Sequence, residues 1–262
     1  MNMPRAILFD LGDTLIDFEP MDTRAIFREA ATATYDFLNQ RGRTLPPFDQ
    51  YCRRQFKAIR WAYFWSKLRR REFNSLRLLR TFCTDLGLSL DEAELLELAW
   101  LWYAPLVQHS SAEDELSATL AGLRRAGFLL GLVSNTFIAG PIHDRHLQLH
   151  GLLEFFPVRV YSSDTGYRKP DRRIFQIALD RLGVSASETV FVGDLIKTDI
   201  VGARRMGMKT VIKQPWGTSR SHRLADFVIR QISELPDVLA GLQPSAPATR
   251  RIEVAEFSVA SM

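Results

Sequence analysis

The chain has 262 residues, 46% of them hydrophobic and 24% charged, which suffices for a substantial core and excludes a wholly disordered polypeptide. Two cysteines, Cys52 and Cys83, stand far apart with no ligand-like neighbours, so neither a disulfide framework nor a zinc site is supported. A net charge of +4 suits an anionic small substrate and equally suits a modest basic bias without a partner, so charge alone selects no function.

Residues 6–9 form a short apolar run that meets Asp10, Gly12 and Asp13, as a central strand of a parallel sheet does when it ends in chemistry. From about residue 21 to 107 the periodicity is helical throughout. A first helix carries Ile26, Ala30, Ala33 and Phe37 on one face and ends near Gly42. A second carries Cys52, Phe56, Ile59 and Tyr63 beside a basic stripe, with Trp61, Phe64 and Trp65 widening its apolar surface. A third stops at Gly87, and Ser89-Leu90-Asp91-Glu92 opens a fourth, with a Ser or Asp cap and an acidic first turn, that runs toward Pro105. These four fit a small antiparallel bundle whose aromatics are expected to pack inside it.

The strand and helix alternation resumes at residue 113: a helix through Leu116 to Leu123, a strand at 128–133, a short helix at 143–149 and a strand at 158–161. A helix at 171–182, a strand at 189–192, a helix at 198–206 and strands at 209–213 and 226–229 follow, with a closing helix at 232–242. Such alternation predicts an α/β fold, a doubly wound parallel Rossmann-like core sheet with an inserted helical-bundle cap domain. The expected boundaries are a core of residues 1–17 plus 108–242, a cap of 18–107 and a mobile tail of 243–262. The N-terminal residues lead straight into the first strand without a signal-type segment, and no apolar run reaches transmembrane length. A soluble, cytoplasmic protein with no membrane partner is therefore expected.

Four segments hold the chemistry-bearing residues: Asp10 to Thr14, Ser134-Asn135-Thr136, Arg168-Lys169-Pro170-Asp171, and Gly193-Asp194 with Asp199. Singly, each has an ordinary turn or capping role open to it. In this order and spacing they resemble the four motifs of the haloacid dehalogenase-like hydrolase superfamily, and the match covers nearly the whole chain. The resemblance implies an Mg²⁺-dependent hydrolase of a small phosphate monoester. Asp10 would be the nucleophile of an aspartyl-phosphate route, Lys169 would neutralise it, and Ser134, Asn135 and Lys169 would bind phosphate. Asp10, the Gly12 carbonyl, Asp194 and Asp199 would hold the metal.

One position departs from the family pattern. The phosphatases usually carry an aspartic general acid two residues after the nucleophile, where this chain has Gly12; Asp13 follows one residue later. It can take that role if the glycine lets the loop turn its carboxylate toward the substrate, and otherwise it bonds the turn. Asp194 argues against the metal-free dehalogenase branch. Phosphonate hydrolysis with a cap lysine, Lys57 or Lys67, is one alternative; a catalytically weakened relative that binds a phosphorylated ligand or macromolecule is another. His143, His146 and His150 share a helical face that suggests a metal site, but no carboxylate or cysteine follows at ligand spacing, and they read as its polar side. The basic, aromatic stretch of residues 53–80 reads as a solvated face, with no nucleic acid expected.

Overall fold

The computed structural model describes residues 3–214 and 224–242; the expected tail at 243–262 lies outside the described residues. Strand β1 (Ala6–Phe9) leads through the Asp10 loop to a two-residue strand, β2 (Asp17–Phe18). Helices α1 (Thr23–Gln40), α2 (Phe48–Arg69), α3 (Ser75–Asp85) and α4 (Glu92–Val107) follow. Then β3 (Ser110–Ser111) pairs antiparallel with β2, so the inserted helices leave and return through one narrow ribbon. The alternating half contains α5 (Leu116–Arg125), β4 (Leu129–Ser134), α6 (Gly140–Leu149), β5 (Val158–Tyr161), α7 (Ser162–Thr165) and α8 (Arg172–Leu182). It closes with β6 (Thr189–Gly193), α9 (Val201–Met206), β7 (Lys209–Lys213), β8 (Phe227–Ile229) and α10 (Leu235–Ala240).

All four β1 side chains are fully buried, because both faces of this strand are covered and it pairs on both edges, with β4 and with β6. The six-stranded parallel sheet has the order β5-β4-β1-β6-β7-β8. The chain winds outward from β1 in both directions, so the order reverses at β1, and the crevice beyond its carboxyl end is where ligands of such sheets sit. One face is covered by Leu116, Leu120 and Leu123 of α5, Leu147 of α6 and Leu235 and Leu239 of α10, packed on Ile7, Phe9 and Val192. The other is covered by Ile174, Phe175 and Leu179 of α8 and Ala203 of α9, packed on Leu8, Val133 and Phe191.

The inserted helices start where their caps dictate. Asp22 accepts the N–H groups of Arg24 and Ala25, Asn74 accepts those of Leu76 and Arg77, and Asp91 with Glu94 forms a reciprocal capping box at α4. Their own core joins Phe37 and Leu38 of α1, Tyr51 of α2, Phe82 and Cys83 of α3 and Leu98 of α4. Cys83 is thus a buried thiol, whereas Cys52 is half-buried, and both are free. The expected burial of the bundle's aromatics fails over the second half of α2, where Trp61 and Phe64 are 51% and 55% exposed. The cause is geometric. Phe27, one turn into α1, meets Phe56 with ring centroids 5.0 Å apart, so beyond about residue 60 the antiparallel α2 runs past the start of α1. There Trp61, Phe64 and Trp65 pack on one another instead.

The helix expected at 198–206 is also different: a π-turn over Ile196–Ile200 precedes α9. Single π-turns of this kind are frequent at functional positions, and this one carries Asp199.

Candidate active site

Asp10 ends β1 and is fixed by its own backbone, whose N–H donates to the Val192 carbonyl of β6 at 2.9 Å. Its carboxylate is nearly buried and lies 2.7 Å from the Lys169 ammonium, which also lies 2.8 Å from the carboxylate of Asp199. Asp199 is fully buried and its other oxygen accepts the Leu195 N–H at 3.0 Å, so one side chain ties its own turn to the lysine. It fits only because residue 193 is glycine: a Cβ there would come within 2.7 Å of the Asp199 side chain. Lys169 precedes α8 and is held by Asn135. The Asn135 Oδ1 accepts the Lys169 backbone N–H at 2.7 Å and its Nδ2 donates to the Lys169 carbonyl at 3.0 Å. Both ends of that amide are therefore committed to positioning the lysine.

Asp194 follows β6 and receives the Thr14 hydroxyl at 3.4 Å. Asp10, Asp194 and Asp199 can each offer one oxygen such that all three lie within 4.8 Å of one another. Burial, and then the charges of Asp10 and Asp199, push the Asp194 carboxyl up to about 7. Burial likewise raises Asp10, with the Lys169 charge pulling the other way. Burial by itself would lower Lys169, but the Asp10 and Asp199 carboxylates outweigh it and hold the ammonium charged. Three clustered carboxylates against one lysine are a hard-oxygen donor set short of positive charge, which fits a small divalent cation.

Above this cluster opens a cavity of about 660 Å³, lined on the sheet side by Asp10, Gly12, Asp13, Ser134, Asn135, Lys169 and Asp194. Ser134, at the end of β4, is buried and borders the cavity. Asp13 adopts φ +55°, the left-handed region that Asp, Asn and Gly tolerate best, and its Oδ1 accepts the Phe18 N–H at 3.4 Å. The side chain remains exposed at the cavity wall. The Gly12 backbone is bridged to Ile16 across the same tight loop. The cap lysines named in the sequence do not line this cavity: Lys57 borders an outer groove with Arg60 and Trp61, and Lys67 lies over the Tyr63 ring.

The α6 histidines are not the polar side of a helix. His143 and His146 are only 6% and 1% exposed, because Tyr103 of α4 packs between them. The Ser110 hydroxyl already donates to the Val107 carbonyl, so His146 Nε2 donates to Ser110 Oγ at 2.9 Å and its Nδ1 accepts from the Tyr103 hydroxyl at 3.0 Å. Burial lowers His143 to about 3 and, with the neighbouring His150, His146 to about 4. They are neutral packing groups at pH 7. Among the described residues the carboxylate trio is the cluster suited to a metal ion.

Two supporting residues carried no assigned role in the sequence. Thr14 is one. Lys213, at the end of β7, is buried, and its ammonium donates to the Thr14 carbonyl at 2.9 Å and meets Asp17 at 3.2 Å and Glu113 at 2.8 Å. It pins the Asp10 loop to both sides of the ribbon. A lysine directly after the apolar pair Val211-Ile212 at a strand end was the signal that could have revealed it.

A family model described as haloacid dehalogenase-like hydrolase matches residues 4–207. Ribulose-1,5-bisphosphate 5-phosphatase of Halopiger xanaduensis is 28% identical over 250 residues, 91% of this chain and all of that protein. Among solved structures, a HAD phosphatase from Thermococcus onnurineus is 27% identical, with a TM-score of 0.56 over 90% of this chain and 98% of that one. A 2-haloacid dehalogenase from Pseudomonas syringae is 28% identical, with a TM-score of 0.61 over 92% of this chain and 100% of that one.

Proposed function

We propose that this chain, which belongs to the haloacid dehalogenase-like hydrolases, hydrolyses a small phosphate monoester through an aspartyl-phosphate on Asp10, with Mg²⁺ as its metal. The observation that carries the reading is the Asp10, Asp194 and Asp199 trio around a single lysine. Hydrolysis of a carboxylic ester or of a carbon–halogen bond needs no such density of negative charge, whereas a divalent cation offsets it and then offers positive charge to phosphoryl oxygens. The named phosphatase relative supports the same class.

In this reading Asp10 attacks phosphorus, the bond to the alcohol oxygen breaks, and the departing oxygen takes a proton from Asp13. Asp13 then removes a proton from the water that attacks the phosphoenzyme, which releases inorganic phosphate and restores the Asp10 carboxylate. Lys169 keeps Asp10 ionised and faces the phosphoryl oxygens, Ser134 donates its hydroxyl to them, and Asn135 acts on phosphate through the lysine it positions. Asp10, Asp194, Asp199 and the Gly12 carbonyl would hold the cation, whose charge offsets that of the transferring oxygens. Residues 18–107 act as a cap over a core of 1–17 and 108–242, with no role for nucleic acid.

The test is release of inorganic phosphate from an aryl phosphate, with and without chelator, beside release of halide from 2-chloropropionate. Metal-dependent phosphate release that Asp10→Asn abolishes without loss of folding is the expected result. Halide release without phosphate release would overturn the assignment.

A further inference from the structure

The cavity has two unlike halves. All its committed chemistry lies on the sheet side, while the facing wall is built from Ile26, Phe27, Phe56, Ile59, Trp102 and Phe137. We propose that the phosphate monoester taken here is that of an apolar, aromatic-bearing alcohol and not of a polyhydroxylated sugar, an inference that rests on the phosphatase reading above.

Most polar groups nearest that wall are already engaged; the Trp102 Nε1 and the His143 Nδ1 are buried without a partner. Thr136 Oγ1 bonds the His143 ring at 2.8 Å and accepts the Ile138 N–H at 3.0 Å. His146 spends both ring nitrogens on Tyr103 and Ser110, and Asn135 spends its amide on Lys169. A polyhydroxylated sugar brings more hydroxyls than the Trp102 and His143 nitrogens can partner, and each one left over gives up water without a replacement, which lowers affinity roughly five- to hundredfold. An aromatic ring has the opposite balance. Burying one phenyl group against these side chains is worth about ten- to hundredfold in binding, and the volume of about 660 Å³ is ample for it. Thr23 and Arg24, on the exposed first turn of α1, leave a polar edge at one side, so the alcohol can carry a polar end away from the phosphate.

Leaving-group acidity must be kept apart from recognition, so the comparison uses two phosphates of primary alcohols, 2-phenylethyl phosphate and glycerol 3-phosphate, with acetyl phosphate as a donor that has almost no alcohol part. The metal-loaded wild-type protein is assayed on all three. The expected result is kcat/KM at least about tenfold higher for 2-phenylethyl phosphate than for glycerol 3-phosphate, carried mainly by KM. Phe27→Ala and Ile59→Asn should each shrink that ratio severalfold. Equal rates, or a preference for glycerol 3-phosphate, overturn the inference and leave the phosphatase reading standing. Turnover of acetyl phosphate alone likewise rejects this substrate class with phosphoryl transfer intact. No turnover of any of the three rejects both.

Discussion

Replacing Lys169 by methionine removes the one positive charge inside the carboxylate cluster while keeping most of the side-chain volume. At an effective dielectric of about 20, unit charges 2.7 and 2.8 Å apart attract by roughly 6 kcal/mol each. Desolvation offsets much of that attraction, and the measured cost of deleting one partner of a buried pair is about 3–5 kcal/mol. For a protein of this size such a loss lowers Tm by roughly 6–20 °C. Burial raises the Asp10 carboxyl, and without the opposing lysine charge it holds a proton that the unfolded chain would release at neutral pH. The folded variant binds more protons than the unfolded one, so its stability falls as pH rises and recovers as pH drops from 7 to 5. Calorimetric melts of metal-free Lys169→Met and Lys169→Met/Asp199→Asn at both pH values measure this, with the double variant regaining part of the loss. A single variant that melts within a degree of wild type at pH 7 would refute the described pairing.

Asp13→Asn should cut hydrolysis of alkyl phosphates by about two orders of magnitude or more and steepen the dependence of rate on leaving-group acidity; equally steep series for variant and wild type would remove Asp13 from proton transfer. Asp194→Ala should raise the Mg²⁺ concentration needed for half-maximal rate at least about tenfold, read from a metal titration of phosphate release. His146 is lowered by burial to about 4, against about 6.5 in the unfolded chain, so it contributes stability above pH 6.5 that is lost as pH falls toward 4, on the order of 3 kcal/mol. His146→Gln should flatten that acid limb in urea unfolding, and unchanged slopes would reject the neutral buried ring.

The sheet was legible because its central strands β1, β4 and β6 are mostly apolar runs bounded by turns, and the outer strands recur at the spacing they set. The expected spans at 158–161 and 209–213 coincide with β5 and β7. The two-residue strands β2 and β3 could not be read, since a pair that short has no period. The gathering of Asp10, Asp194 and Asp199 follows from strand order, which puts the ends of β1 and β6 side by side. Other features depended on tertiary partners that local pattern cannot supply. Asn135 carries a phosphate-binding sequence signature, yet both ends of its amide reach the Lys169 backbone 34 positions on. The α6 histidines are apolar in effect only because Tyr103 arrives from the inserted helices. The α2 aromatics have the spacing of a core stripe, but α1 is too short to cover them.

The narrow β2–β3 ribbon has a consequence for how this chain can change. The carboxylates and the lysine of the site are supplied by the segments that follow β1 and β6 and precede α8, and most of the apolar wall by α1, α2 and α4. The polypeptide crosses between the two stretches at one pair of adjacent positions, with Lys213 clamping the base of the ribbon, while Tyr103 and its neighbours pack on Ile138, Ala139 and Ile142 across them. Because the ends of the helical segment sit side by side, a different segment with equally close ends can be spliced between residues 19 and 109 at little added chain entropy. In the proposed reading, a graft of the helices moves substrate choice apart from phosphoryl transfer provided that the new segment also covers Ile138, Ala139 and Ile142 and replaces Tyr103 as the partner of His146.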